Sequence, residues 1–331
     1  MVTLLIIRLF IKKLNEKYSN KVLLTFGLGL TLIAAIGYCI AQDTILFLLF
    51  RMVHGLGFGI SLTCATAISN ECVPSGRMSE GVGFTSSANT VANAIGPTIA
   101  MGILGEQYTN FLLLFVVLLL VSVVIFLLSF GIRNSTKSEK AGHGKQSYKG
   151  IVIACIFFLA TLSQSAVNNF LTSFAKQLAF GNIGLFFTIS AIITLASRFF
   201  AKKLQNIFGL QKLSLILAAL MAISMLAITV IQNEVQLFLL AIPYGLSTGL
   251  LFPIFNYRII QTVSSSQLAF ATSLYYCGLD IGYGLGAILW GYVGQYFGYG
   301  YIYILAAILL RVMAFVNQAS YKKLTIPAYA D

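Results

Sequence analysis

The 331-residue sequence predicts an all-α membrane fold, and three observations carry that expectation. Hydrophobic residues make up 58% of the chain against 9% charged, and mean hydropathy is +0.90, values that the surface of a soluble domain this size does not tolerate. The apolar residues come in continuous runs rather than in alternation, and hydrocarbon allows only helices or closed barrels to satisfy backbone groups. The chain also repeats itself. Arg8, Phe10, Lys12, Lys13 and Leu14 recur 190 positions later at Arg198, Phe200, Lys202, Lys203 and Leu204, and the same shift carries Gly55, Leu56, Gly59 and Gly96 onto Gly245, Leu246, Gly249 and Gly286.

A membrane-crossing helix needs about 20 apolar residues, because the hydrocarbon core is roughly 30 Å thick and each residue rises about 1.5 Å. Ten stretches qualify, at approximately 22–41, 45–68, 81–104, 111–132, 151–174, 183–200, 213–231, 235–255, 269–292 and 301–319. The first follows a basic loop with Arg8, Lys12, Lys13, Lys17 and Lys21. Arg77 separates the second from the third. Arg133, Lys137, Lys140, Lys145 and Lys149 follow the fourth, in the one long hydrophilic stretch of the chain. Arg198, Lys202, Lys203 and Lys212 lie around the sixth-to-seventh connection, Arg258 after the eighth, and Lys322 and Lys323 after the tenth. The intervening loops offer only Lys176. Every second loop is therefore basic, which by the positive-inside rule makes those loops and the C-terminus cytoplasmic. The net charge of +12 serves orientation in the lipid bilayer, and no nucleic-acid partner is expected.

The repeat divides the chain into a first half at 1–132, a cytoplasmic linker at 133–150 and a second half at 151–331. The second half has two long apolar segments before its Arg198 where the first has only Met1 to Ile7 before Arg8, so about 40 residues, one helix and most of the next, are expected ahead of Met1. The restored protein has twelve spans in two six-helix halves. An even number of helices per repeat gives both halves the same orientation, related by an axis along the membrane normal.

Composition also excludes classes of chemistry. Cys39, Cys64, Cys72, Cys155 and Cys277 lie apart, with no paired spacing and no neighbouring histidine, so neither a metal site nor a disulfide framework is expected. No glycine loop of the type that cradles phosphate is present, and no nucleophile stands in a triad context. The chain is expected to be no enzyme and to need no cofactor.

Three local motifs give the chain a family resemblance. The first is the basic stretch from Arg8 to Lys21, with Glu16 and Lys17 near its end. The second is Arg51-Met-Val-His-Gly55-Leu-Gly-Phe-Gly59. The third is Ala92-Asn-Ala-Ile-Gly96-Pro97-Thr-Ile-Ala100, whose repeat counterpart has Gly282 and Gly286 but Ala287 where the first half has proline. Together they resemble the major facilitator superfamily over essentially the whole chain. The first is similar to that family's loop of form G-x-L-a-D-r-x-G-r-r, with Lys12 and Ser19 replacing the glycines; the others are similar to its R-x-x-x-G-x-G and g-x-x-x-G-P-x-x-G motifs, with alanine replacing the outer glycines of the latter. The resemblance implies two six-helix bundles rocking about a central site, a gating role for Arg8, Glu16, Lys17 and Arg198, and an exporter's seam at Gly96 and Pro97. A basic loop that only sets topology is the alternative for the first motif.

Individual residues stand out on physical grounds. An ionisable side chain well inside a span is costly and defaults to a functional role; Arg51, one turn from His54, and Asp280 are such cases. Gly55 and Gly59 permit close helix packing. Gln164 and Asn168 share a helical face, and with Asn169, Tyr244, Asn256 and Tyr257 they make up a polar set beyond what lipid contact favours. These are the expected substrate and coupling contacts, against the alternative of helix-to-helix hydrogen bonding. For Asp280 the alternative is structural pairing, with Arg311 as the partner offered.

The expected function is secondary transport of a small molecule coupled to protons, as an efflux antiporter of drug or metallophore type in the bacterial cell membrane, working as a monomer. A sugar or metabolite importer of the same fold is one alternative. A transport-dead fragment or membrane scaffold is another.

Overall fold

A computed structural model describes residues 2–74, 77–104, 111–132, 148–181, 183–263 and 267–324 of the chain. Among these residues no strand forms, and the elements run α1 (Val2–Lys17), α2 (Asn20–Ile40), α3 (Thr44–Glu71), α4 (Met78–Leu104), α5 (Phe111–Gly131), α6 (Tyr148–Gln177), α7 (Gly184–Ile228), α8 (Glu234–Ile260), α9 (Leu268–Tyr296) and α10 (Tyr299–Leu324). Seven of the described helices, α2, α3, α5, α6, α7, α8 and α10, are long and apolar enough to cross a membrane. Helix starts are closed locally. The side chains of Ser19, Asp43 and Asn233 accept from the backbone N–H groups of Val22, Leu46 and Gln236, capping α2, α3 and α8. Most of the linker, 133–147, lies outside the described residues.

Two local expectations change. The basic stretch from Arg8 is not a loop but is helical as far as Lys17, leaving only Tyr18 and Ser19 between α1 and α2. The cause is an apolar stripe threaded between the charges: Ile7, Ile11 and Leu14 pack with Leu23, Leu24, Ile60 and Cys64, and that spacing is one face of a helix. The sixth and seventh expected spans share one 45-residue helical run, α7, interrupted only where Gly209 adopts φ 71° and ψ 157°. A residue with a Cβ rarely adopts that conformation, so glycine marks the break. Pro243 and Pro253 both lie inside α8.

The chain forms two compact units. One contains α1, α2, α3, α5, residues 95–104 of α4 and residues 268–274 of α9. Its helices α2 and α3 approach backbone to backbone at Gly27 and Gly57, where a Cβ on Gly57 would stand 2.6 Å from the Gly27 carbonyl oxygen. The other contains α6, α7, α8, α10, residues 78–94 of α4 and residues 275–296 of α9. Its core is aromatic: Phe157 stacks on Tyr275 with ring centres 4.6 Å apart and planes at 16°, and Phe252 and Phe255 close around the same ring.

Candidate functional site

In the second unit, α6 carries Gln164 and Asn168 on one face, α8 carries Tyr244 and α9 carries Tyr283. The four side chains form one chain of hydrogen bonds. Asn168 Nδ2 donates to Tyr283 Oη at 2.6 Å, Tyr283 Oη donates to Gln164 Oε1 at 2.7 Å, and Tyr244 Oη donates to Asn168 Oδ1 over a long 3.4 Å. Tyr244 is 3% exposed and packs on Phe186, while Asn168 is exposed. The chain thus runs from a buried anchor to an open edge, with an amide at that edge that has donor and acceptor capacity to spare.

Close packing of α9 on α6 puts Tyr283 in reach. A Cβ on Gly282 or Gly286 would collide with the side chains of Thr161 and Ser165, and Thr161 Oγ1 donates to the Gly278 carbonyl at 2.9 Å. Trp290 Nε1 donates to the Leu162 carbonyl at 2.8 Å and reaches Ser165 Oγ at 3.0 Å. Asp280 lies off this packed stripe. Helical spacing puts it on one face with Tyr276 and Tyr283, where Tyr276 Oη accepts from Asn89 Nδ2 of α4 at 3.3 Å. The carboxylate is 8% exposed. Arg311 stays exposed on α10 and forms no ion pair among the described residues, so it is not the partner of Asp280.

The first unit presents a different chemistry. Arg51 sits about 10 Å along α3 from the helix start, with its guanidinium 5.5 Å from the Tyr38 ring centre and 5.6 Å from that of Phe47. Tyr38, Phe47 and Phe115 pack into one aromatic cluster. Tyr38 Oη lies 2.9 Å from His54 Nδ1. Arg51 forms no ion pair among the described residues, so the ring faces are what offset its charge. The repeat links the two clusters, because His54 and Tyr244 are 190 positions apart and each immediately precedes a glycine of the close-packed pair. One unit fills that place with an imidazole beside a cation, the other with a phenol beside amides.

The repeated basic motif also resolves into two environments. Arg8 is buried, and its backbone carbonyl accepts from Ser273 Oγ of α9 at 2.7 Å. Glu16 and Lys17 are exposed at the end of α1. Arg198 is partly buried on α7 near Gly83 of α4. One turn beyond Arg198, Lys202 Nζ lies 2.5 Å from Glu80 Oε1, and Arg77 Nη2 lies 2.8 Å from Glu80 Oε2. Hydrogen bonds from Lys202 and Arg77 hold the Glu80 carboxyl below its ordinary range. In the sequence repeat, Lys202 corresponds to Lys12 and Glu80 to Phe270, so the acidic residue of this pair is not repeated.

Of the expected set, the structure brings Gln164, Asn168 and Tyr244 together, and separately Arg51 and His54. It leaves Asn169 exposed beside the network without joining it. Asn256 and Tyr257 stand about 18 Å further along α8 than Tyr244; Asn256 is buried, and Tyr257 Oη accepts from Gln261 Nε2. Among the described residues nothing lies within 4 Å of a Cβ on Gly96, and the Pro97 side chain lies outside them. Tyr283, Tyr38 and Glu80 were missed. Sixteen tyrosines give no sequence signal that singles out two, but Glu80 stands three residues after Arg77, a spacing that favours an ion pair on a helix.

The family model described as Major Facilitator Superfamily matches residues 1–152 and again 153–324. A staphylopine export protein of Staphylococcus aureus (strain Mu50 / ATCC 700699) is 21% identical over 266 residues, covering 75% of this chain and 66% of its own length. The match therefore spans just under two thirds of that relative. Among solved structures, the human organic anion transporter MFSD10 superposes with a TM-score of 0.80 at 13% identity, covering 95% of this chain and 80% of that one. The proton:xylose symporter XylE gives 0.78 at 14% identity, covering 98% and 84%.

Proposed function

From a chain that belongs to the Major Facilitator Superfamily, a family of transporters, we propose an exporter that carries a small organic compound out of a bacterial cell in exchange for protons, by alternating access. Asp280 is the observation that carries this reading. Asp280 is 8% exposed within a 29-residue helix, and an ionisable side chain at that depth defaults to a functional role. It shares a face with Tyr283, which bridges Asn168 and Gln164, so protonation state and substrate contacts meet on one helix. The export direction is supported by the similarity to an export protein. Arg51, His54, Gln164, Asn168 and Tyr244 are the proposed substrate contacts, and Glu16, Lys17, Arg8 and Arg198 the proposed gate elements. The basic loops and the C-terminus face the cytoplasm, and the chain acts as a monomer.

The test is substrate movement in vesicles with an imposed proton gradient, comparing the chain with Asp280→Asn. Gradient-driven efflux that becomes gradient-independent in Asp280→Asn is the expected result. Efflux that stays fully coupled in the variant overturns the role of Asp280.

A second reading is favoured by the uncharged character of the Gln164–Asn168–Tyr283–Tyr244 network, which suits a neutral, hydroxyl-rich compound taken up rather than expelled. Inverted vesicles separate the two, since the productive gradient has the opposite sign for uptake and for export.

A further inference from the structure

The first unit carries a groove that the transport mechanism does not use. It lies between α2 and α5, measures about 480 Å³, and is lined by Phe26, Gly29, Leu30, Ile33, Phe126 and Phe130, with Lys21 at one end. Gly29 makes the hollow: a Cβ there would stand 3.5 Å from Phe126 Cε2, and none is present. The hydroxyl of Thr25, which lines the groove, is engaged with that of Ser129 rather than free. Thr25 Oγ1 lies 3.2 Å from Ser129 Oγ, which donates to the Phe126 carbonyl at 2.6 Å. Phe26 and Ile33 are more than half exposed, so the groove opens outward.

Its dimensions match one leaflet. From Lys21 to Ile33 the helix rises about 18 Å, close to half of a hydrocarbon core roughly 30 Å thick. Its ends differ in kind. Lys21 Nζ donates to the Phe130 carbonyl at 3.2 Å, which leaves two of its three donors for another acceptor, and no carboxylate pairs with it among the described residues. Tyr18, 52% exposed, stands three residues away, as an interfacial aromatic does. The other end is wholly apolar.

We propose that this groove holds an acyl chain of an anionic phospholipid, with Lys21 taking the headgroup phosphate. Charge complementarity selects the occupant. A zwitterionic lipid offers the same phosphate but sets a quaternary ammonium beside it that offsets the attraction to Lys21, and a detergent without a phosphate leaves the lysine's two free donors without an anionic acceptor.

Native mass spectrometry of the full chain, released from micelles containing equal amounts of phosphatidylglycerol and phosphatidylcholine with identical acyl chains, tests the site. Phosphatidylglycerol is expected to be retained about fivefold over phosphatidylcholine, the worth of one lysine at an anionic surface. Lys21→Gln is expected to bring the ratio to one, while Lys176→Gln leaves it unchanged. Gly29→Leu, which fills the hollow, is expected to lose both lipids and keeps the test decisive if Lys21→Gln fails to fold. Equal retention in the unaltered chain, a ratio insensitive to Lys21→Gln, or undiminished retention in Gly29→Leu overturns the proposal.

Discussion

Gly59 and Gly249, 190 positions apart, rest on repeat-equivalent neighbours: a Cβ on Gly59 would meet Ile7 and Leu4, and one on Gly249 would meet Ser197 and Thr194. Ile7 and Ser197 are themselves 190 apart, as are Leu4 and Thr194. The contact between α1 and α3 is thus rebuilt between α7 and α8 with other side chains. Small residues are what such a contact requires, because without a hydrophobic drive between helices in lipid, close van der Waals approach is the main source of attraction.

These contacts make glycine substitutions sharply unequal. Gly245→Val puts a Cβ 2.5 Å from the Ser190 carbonyl oxygen and is expected to cost about 1–3 kcal/mol, the usual effect of overpacking. Gly96→Ala, with nothing within 4 Å among the described residues, is expected to be neutral or stabilising by up to about 1 kcal/mol through helix propensity. Thermal unfolding of the two variants in the same detergent checks the contrast.

The buried cation of the second unit depends on one acceptor. Arg258 Nη1 donates to Asn317 Oδ1 at 2.6 Å, and Asn317 Nδ2 donates to Ser214 Oγ at 3.0 Å, linking α7, α8 and α10. Asn317→Ala deprives a guanidinium of its acceptor and is expected to destabilise by about 1.5–3 kcal/mol. Ser214→Ala, which removes only the neutral end, is expected to cost less than half as much in the same unfolding assay.

Tyr283→Phe severs Asn168 from Gln164 without changing the packing volume of α9 on α6. The loss of a substrate-positioning hydrogen-bond bridge is expected to raise the transport KM about 3–10-fold, with the unfolding midpoint nearly unchanged. An unaltered KM in initial-rate uptake or efflux would remove the network from the substrate path.

Arg51→Lys keeps the charge beside Tyr38 and Phe47 but gives up the planar guanidinium that lies 5.5 and 5.6 Å from the two ring centres. If the planar group matters, Arg51→Lys is expected to fall at least about tenfold in transport rate, a loss of roughly 1.4 kcal/mol, and to resemble Arg51→Gln more than the unaltered chain.

The Glu80 cluster predicts a pH dependence. Lys202 and Arg77 hold the Glu80 carboxyl below its ordinary range, so its contribution is fully present above the ordinary carboxylate pKa and is lost as pH falls through the lowered value. The unfolding midpoint of the chain is expected to exceed that of Glu80→Gln at neutral pH, with the gap closing on acidification and narrowing with added salt, because the cluster is exposed. A gap that persists at the acid end assigns the effect to packing.

Helix content and membrane class were legible residue by residue, because hydrocarbon imposes length and apolarity on every span. The polar inventory of α6 was legible too, since Gln164 and Asn168 share a face by arithmetic alone. Tyr283 was not, because its value comes from α9 lying against α6 at Gly282 and Gly286. Asn256 and Tyr257 looked equivalent to Tyr244 in composition, but helical rise carries them about 18 Å away.

The sequence by itself determined the repeat, the all-helical membrane class and the alternation of basic loops, since each follows from local composition and from the cost of leaving backbone or charge unsatisfied in lipid. Only the tertiary structure decided that the basic stretch is helix rather than loop, that Glu80 receives Lys202, and that a phenol of α9 joins two amides of α6. The first left a periodic trace at Ile7, Ile11 and Leu14, whereas the other two depend on which helix faces meet, and neither segment alone records which partner its face receives.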